Sequence, residues 1–529
     1  MGLDLKKISV TTWLILGGIF LYTASLWQRP LFISEFADNC GAVKALYSGT
    51  FETCRDLVIS CILKYTKVSP FSLRLPCALL ALLSGGALFL AGRKSRFADI
   101  STAAPLIFLL TPAIFLSGTS ALSFMLNGAP VIICFYLLYF MSESSSVKSA
   151  ALWGIGALAA LAALGTLFFA GTPVPLFFIL AAWLIYAVLT LLIKAPERKS
   201  LPPLSLFAPV LCVLPALIVS RCATPCQHSF FTAPRSSLIR DFAAFAVAGS
   251  FPWLLFIIVA ARNFPERFKR ICREPFTLSA LVLAVCSGGM SLFTPASAAF
   301  FIPFLAGMAV LLAAGLEMEH EENGFHSFNI ILSLLAGVFF LAAAGIGIWY
   351  GLGVCTKVLK PAWKIFTAKD AWLLTAIVPA VAAVWCLTGA GEKKSKERKF
   401  LSFCAGIAFL LLAFHGLTPV KVVEYNAPGH FLQKVVLPRT GVKTLFYGDK
   451  KMVAPLQAVC KNSQVKSFSF PSGLEEIKEG IKTGKRMCIV TLSRKTSEKL
   501  PFPKTTLRSG NFIAVFYNID FPEMRVRKP

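Results

Sequence analysis

The sequence predicts a polytopic α-helical membrane protein of about 13 transmembrane helices with a small extracytoplasmic α/β domain at the C-terminal end. Three observations predict it. Of 529 residues, 56% are hydrophobic and only 15% charged, and the mean hydropathy is +0.71. A soluble protein of this length needs more charge to cover its surface. Runs of about 20 apolar residues, the length that crosses a bilayer, alternate with short basic loops. At Thr418 the chain turns polar and stays so to its end.

Taken in order, the segment MGLDLKKISV precedes the first apolar run without a small-residue cleavage site. It reads as an uncleaved first span with its charged end inside. Spans are expected near 11–27, 71–92, 100–117, 120–140, 149–168, 174–193, 203–220, 242–261, 276–292, 296–316, 327–350, 371–390 and 400–417. The loops this count puts inside carry Lys6 and Lys7, Arg93-Lys94-Ser95-Arg96, Lys148, Lys194 with Arg198 and Lys199, RNFPERFKRICR, and EKKSKERK. Their density obeys the positive-inside rule. The inside loop EMEHEENGFH breaks the pattern, but acids weigh little in orientation. An odd number of spans places the N-terminus in the cytoplasm and the C-terminal domain outside, which fits a bacterial inner membrane. The net charge of +26 therefore reflects topology and contact with membrane lipids, and no nucleic-acid partner is expected.

Two domains follow, a transmembrane domain over 1–417 with its first extracytoplasmic loop at 28–70, and an α/β domain over 418–529. In the latter, KTLFYGD, QVKSFSF, KRMCIVTLS and NFIAVFYNI read as strands, and MVAPLQAVCK and GLEEIKEGIKTG as helices. Such alternation implies a small α/β fold.

The stretch from Arg29 to Pro76 gathers the chemistry. It holds Glu35, Asp38, Glu52 and Asp56 in a chain with only 26 acids. In EFADNCGAVKALYSG, a short amphipathic helix would bring Glu35 and Asp38 onto one face, with Ala37, Ala42, Ala45 and Leu46 against the membrane. Paired carboxylates there suit a base, a metal ligand or both, against the plainer reading of a solvated interfacial helix. No cofactor is otherwise implied, and a divalent metal ion stays open. Arg55, Lys64, Arg221, Arg235 and Arg240 are candidates for a cationic pocket that holds phosphate, since guanidinium offers a bidentate fork. Each alone also reads as a solvated basic residue, and so does His228. Most of the 15 Cys sit in apolar runs as small hydrophobes. Cys222 and Cys226 lie in an expected external loop, where a disulfide and two unpaired thiols are both open. No cysteine pair has zinc spacing, so no metal site is assigned.

SPFSLRLPCALLALLSGGALFLAGRK resembles the second span of the membrane-embedded C-type glycosyltransferases. More narrowly it resembles the protein mannosyltransferase and aminoarabinose (lipid A) transferase group, where an F-[AS]-L-R-L-P-S segment opens that span. RPLFISEFADNCGAVKALYSG is similar to that family's preceding loop, R-P-L-W-x-P-D-E-x-R-Y-A-E-x-A-R-x-M-L-x-S-G. LGTLFFAGTPVPLFFIL and SGGMSLFTPASAAFFIPFLAGMAVLLA resemble later segments. The resemblance implies an enzyme that moves a sugar from a polyprenyl-phosphate carrier to a lipid or protein acceptor on the outer membrane face. In the family an acid of the first loop serves the acceptor, and basic residues hold the carrier phosphate.

The departures fall on the chemistry. Aligned without gaps, the family's D-E pair meets Ser34-Glu35, and its following Arg meets Ala37. The K-P-P-L-x-Y-W motif has no counterpart in FETCRDLVISCIL. Ala170 stands for the lysine of T-K-G-P, and Ser291 lies near the lost S-x-x-K lysine. Glu35 is retained, Asp38 one turn on is a candidate substitute base, and Arg55 is a candidate substitute for a lost lysine. Two rivals remain: a catalytically degenerate member that binds or assembles lipid-linked sugars, and a transporter or flippase. Against the last, the spans carry few intramembrane charges, and no matching broken helices are evident.

Overall fold

A computed structural model of the chain describes residues 10–26, 31–32, 35–36, 39–48, 54–97, 100–121, 123–144, 147–163, 174–193, 264–293, 300–318, 400–401, 403–408, 427–440, 444–449, 451–460, 465–469, 472–501, 504–509 and 511–519, with single positions between 210 and 411. The chain divides into two compact units. One comprises 1–26, 74–348 and 373–414; the other comprises 27–73, 349–372 and 415–529.

The first unit is helical. Pro70–Gly92, Met125–Ser142, Val174–Leu192, Pro275–Leu292 and Phe300–Met318 are each long and apolar enough to cross a membrane. Ile100–Leu109 and Pro112–Gly118 are two apolar helices joined at a bend of 64°. The bend has a local cause. Proline disfavours helical geometry at the residue before it, and Thr111 adopts φ −67°, ψ 124° ahead of Pro112. Tyr22 Oη donates to the Leu109 carbonyl beside this break at 3.0 Å, which satisfies a backbone group in an apolar setting. Leu16–Ser25 and Lys148–Ala162 are shorter apolar helices. All of these coincide with expected spans. The spans expected at 203–220, 242–261, 327–350, 371–390 and 400–417 lie wholly or largely outside the described residues.

Packing within the unit relies on small residues and on rings. A Cβ on Gly307 would meet the Ala280 carbonyl at 2.6 Å and the Ala284 Cβ at 2.8 Å, so this glycine lets two spans approach backbone to backbone. Phe135, Tyr136, Tyr139, Trp183, Tyr186 and Phe276 pack edge-on or tilted, with centroids 5.1–6.3 Å apart.

In the second unit a small sheet stands where the sequence expects an α/β domain. Its strands are β1 (Leu445–Gly448), β2 (Lys466–Ser467), β3 (Met487–Thr491), β4 (Thr505–Ser509) and β5 (Phe512–Tyr517), in spatial order β2-β1-β3-β5-β4. β1 runs parallel to β2 and β3, while β5 is antiparallel to β3 and β4. Alternation along β3 and β5 sends Cys488, Val490, Phe512, Ala514 and Phe516 to one core, and Met487, Ile489, Ile513, Val515 and Tyr517 to the other. Leu456 of the Val453–Cys460 helix joins the first core, and Ile477 of the Ser472–Lys482 helix joins the second. Both faces are covered, which explains the unbroken apolar run of NFIAVFY. β4 (TTLRS) is an exposed edge without apolar alternation, and sequence pattern did not mark it. Among the described residues of QVKSFSF, Lys466 and Ser467 pair with β1, and Phe468 N donates to the Gly448 carbonyl at 2.8 Å.

Candidate functional site

The segment Leu31–Leu73 belongs to the second unit, together with the C-terminal sheet. Its first described turn is built around Glu35. Phe36 N donates to the Phe32 carbonyl at 3.2 Å, which starts a helical turn, and Phe32 N donates to Glu35 Oε2 at 2.9 Å. A glutamate three residues into a helix that reaches back to the first N–H is one half of a capping box. Asn39 Nδ2 donates to the Glu35 carbonyl at 2.9 Å. Glu35 is 1% exposed. A carboxylate so buried persists only where donors surround it, because burying an isolated one costs several kcal/mol, roughly.

The Cys40–Ser48 helix follows, and it packs against both Cys54–Thr66 and Val453–Cys460. Ala42 and Ala45 are therefore buried against protein, which corrects the expected membrane-facing side of this helix. Its contact with Cys54–Thr66 is made at Gly41. A Cβ on Gly41 would sit within 2.7 Å of Asp56 Cγ and both its oxygens, so any larger residue there requires the carboxylate to shift. Asp56 is 3% exposed and stands in the first turn of its helix, where a negative charge meets the positive end of the helix dipole. The Cys54–Thr66 helix ends at Lys67, with φ 63°, and the chain then enters the Pro70–Gly92 span. There Ser72 N donates to Ser69 Oγ at 3.1 Å and Ser69 N donates to Ser72 Oγ at 2.9 Å, with Pro70 at the first helical position. This reciprocal cap accounts for the S-P-F-S that opens the motif.

Arg74 of the SLRLP stretch is buried in the helical unit, and its Nη1 donates to the Leu26 carbonyl at 3.1 Å. Leu26 follows the first helix, so the guanidinium meets the negative end of that dipole. Arg74 thereby ties the end of the first span to the start of the second.

Of the residues singled out by sequence, Glu35 is described as above. Arg55 lies in the Cys54–Thr66 helix, with its side chain outside the described residues. Asp38, Arg221, Arg235, Arg240, Cys222, Cys226 and Ser34 lie outside the described residues. Asp56 and Arg74 are the additions: one stood in the acidic set and the other in the quoted motif, but neither was assigned a role. Their signal is burial, which spacing does not report. Among the described residues, no group of three or more His, Cys, Asp or Glu is placed to hold a metal ion.

Within the helical unit, a cavity of about 780 Å³ opens between the Val174–Leu192 and Pro275–Phe293 helices. Val174, Phe177, Phe178, Leu184, Cys286 and Gly289 line it, so it suits an aliphatic chain. A Cβ on Gly289 would meet nothing within 4 Å.

These features define a multi-pass membrane protein whose first long inter-span loop holds buried carboxylates. No protein-family model and no curated sequence match the chain. Among solved structures, it is similar to ArnT from Cupriavidus metallidurans bound to undecaprenyl phosphate, with 14% identity and a TM-score of 0.69. It is likewise similar to ArnT in the apo state, with 15% identity and a TM-score of 0.69. Both alignments cover 96% of this chain and 98% of the other. The chain thus has the fold of these ArnT structures, in a divergent sequence.

Proposed function

We propose that the protein is a membrane glycosyltransferase that moves a sugar from a polyprenyl-phosphate carrier to a lipid or protein acceptor on the extracytoplasmic face. One observation carries this reading: the fold matches ArnT over 96% of the chain, and one of those ArnT structures has undecaprenyl phosphate bound. The apolar cavity beside Val174 and Gly289 supports it, since a prenyl chain needs such a lining. Chemically, an acid of the first loop would take the proton of the acceptor hydroxyl as that oxygen attacks the sugar carbon. The carrier phosphate leaves with the bonding pair, and paired guanidinium groups stabilise it. Glu35 and Asp38 are assigned to the acid role. Arg55, Arg221, Arg235 and Arg240 are assigned to the phosphate, and a divalent ion is a further candidate partner for it.

The test is turnover by the purified protein with polyprenyl-phosphate sugars as donors, comparing wild type with Glu35→Gln and Asp38→Asn. Loss of product with either change supports the roles, and full turnover in both removes them. A second reading, a member that binds lipid-linked sugar without transferring it, is favoured by the cap that Glu35 makes to Phe32 and by Ser34 at the family's Asp position. It predicts carrier binding without product for every donor tried.

A further inference from the structure

Two loops far apart in sequence meet at one end of the helical unit. The turn Arg93–Phe97 follows the Pro70–Gly92 span, and the Phe264–Arg273 helix precedes the Pro275–Phe293 span. Arg270 lies over the Phe97 ring at 5.9 Å, and Ser95 hydrogen-bonds the Glu274 carboxylate. Lys94 lies over Phe140 at 5.5 Å, and its Nζ is 3.4 Å from the Glu143 carbonyl, which joins the end of a third span to the cluster.

The exposed groups of this assembly are strongly one-signed. Arg93, Lys94, Arg96, Lys269 and Arg273 are exposed and Arg270 is half-buried, against an exposed Glu266 and a half-buried Glu143. Arg267 and Glu274 are buried and turned into the protein. The helix FPERFKRICR is strongly amphipathic, yet Phe268 is 38% exposed among its cations. A large apolar ring beside lysine and arginine, at the ends of membrane spans, fits the boundary between headgroups and acyl chains. Arginine and lysine clusters at that depth attract anionic phospholipid.

We propose that Arg93, Lys94, Arg96, Lys269 and Arg273 form a binding site for the phosphodiester headgroup of an anionic phospholipid, with Phe268 seated in its acyl region. The occupant is a membrane lipid because both loops leave spans within a turn or two. A soluble phosphate has no use for Phe268.

The test uses the full-length protein purified in detergent and offered phosphatidylglycerol or phosphatidylcholine at equal concentration, with bound lipid counted by native mass spectrometry. Wild type is expected to retain phosphatidylglycerol over phosphatidylcholine. The double variant Lys269→Gln, Arg273→Gln should lose that preference by about tenfold or more, at roughly fivefold per charge. Arg93→Gln, on the other loop, should lose it by about fivefold and keeps the proposal testable if the double variant fails to fold. Lys478→Gln, exposed in the other unit, should leave it unchanged. Equal retention of the two lipids by wild type, undiminished preference in the variants, or an equal loss in Lys478→Gln overturns the site. So does displacement by free glycerol phosphate at the lipid's own concentration.

Discussion

Glu35 caps a turn, and the catalytic role proposed for it separates from that cap experimentally. Its Oε2 accepts from Phe32 N, and a glutamine keeps an oxygen for that bond while it removes the charge. Glu35→Gln should therefore fold with near wild-type thermal stability, whereas Glu35→Ala should lose about 0.5–2 kcal/mol with the cap. Equal stability of the two variants in a thermal melt would show that the cap contributes nothing. Gly41 makes the sharper test. Gly41→Ala drives a methyl into the Asp56 carboxylate and should cost about 1–3 kcal/mol. Adding Asp56→Ala should return part of that loss, because the clash disappears, and a double-mutant cycle measures the coupling. Cysteines give a third check. Burial pushes the Cys460 thiol up to about 11, and raises the fully buried Cys488 well above the usual thiol range. Only the thiolate attacks an alkylating agent. At neutral pH, residue-resolved alkylation should mark the exposed Cys61 and spare Cys460 and Cys488 until the protein unfolds.

Helix ends are where short sequence signals become structure. Ser69 and Ser72 cap each other around Pro70, and Glu274 caps the next-to-last long described span by accepting from Thr277 N at 2.6 Å. Burial raises the Glu274 carboxyl above the ordinary carboxylate range, and bonds from Thr277, Ser95 and Phe276 oppose it. The folded state thus holds the proton more tightly than the unfolded chain. The stability linked to that proton is complete below the unfolded pKa and is lost as pH rises through the raised folded value. Wild type should lose melting temperature relative to Glu274→Gln as pH climbs above the ordinary carboxylate range, and a pH-independent difference would contradict this. In the sheet, Asp449 follows β1 and accepts from Thr491 Oγ1 at 2.5 Å and from Leu492 N at 3.0 Å. Asp449→Ala should cost about 1–3 kcal/mol by stranding those donors, read as a lower melting temperature of the full chain. Four of the five strands coincide with runs marked by β-branched and aromatic residues. β4 does not, because an exposed edge strand needs no apolar face.

At the scale of the molecule, the described spans fall where apolar runs placed them, because a bilayer imposes length and hydropathy on every crossing. The grouping of Leu31–Leu73 with the C-terminal sheet has no such local signature. It arises where the Cys40–Ser48 helix, read from sequence as lying on the membrane, instead packs on Val453–Cys460 across about 400 residues of chain. A periodic apolar stripe shows that a helix has a face to bury, and leaves the partner open. If the proposed carrier reaction holds, filling the apolar cavity should hinder it. Gly289→Phe, which meets no neighbour at its Cβ, should fold normally and raise the apparent KM for a polyprenyl-phosphate donor by about tenfold or more. An unchanged KM would remove the cavity from the carrier's path.

Sequence alone determined the membrane class, the positions of the described spans, and, through SLRLP, the fold shared with ArnT. All three rest on local composition or on a short contiguous stretch. Tertiary structure decided what the loop residues touch. Glu35 was legible as an acid of the first loop, but its cap to Phe32 depends on the turn that forms there. Asp56 gained a place only because Gly41 lets a second helix close over its carboxylate, and Arg74 because the first span ends within reach of its guanidinium. Burial and partnership are properties of which surfaces meet, and residues that are distant in sequence carry no local mark of that meeting.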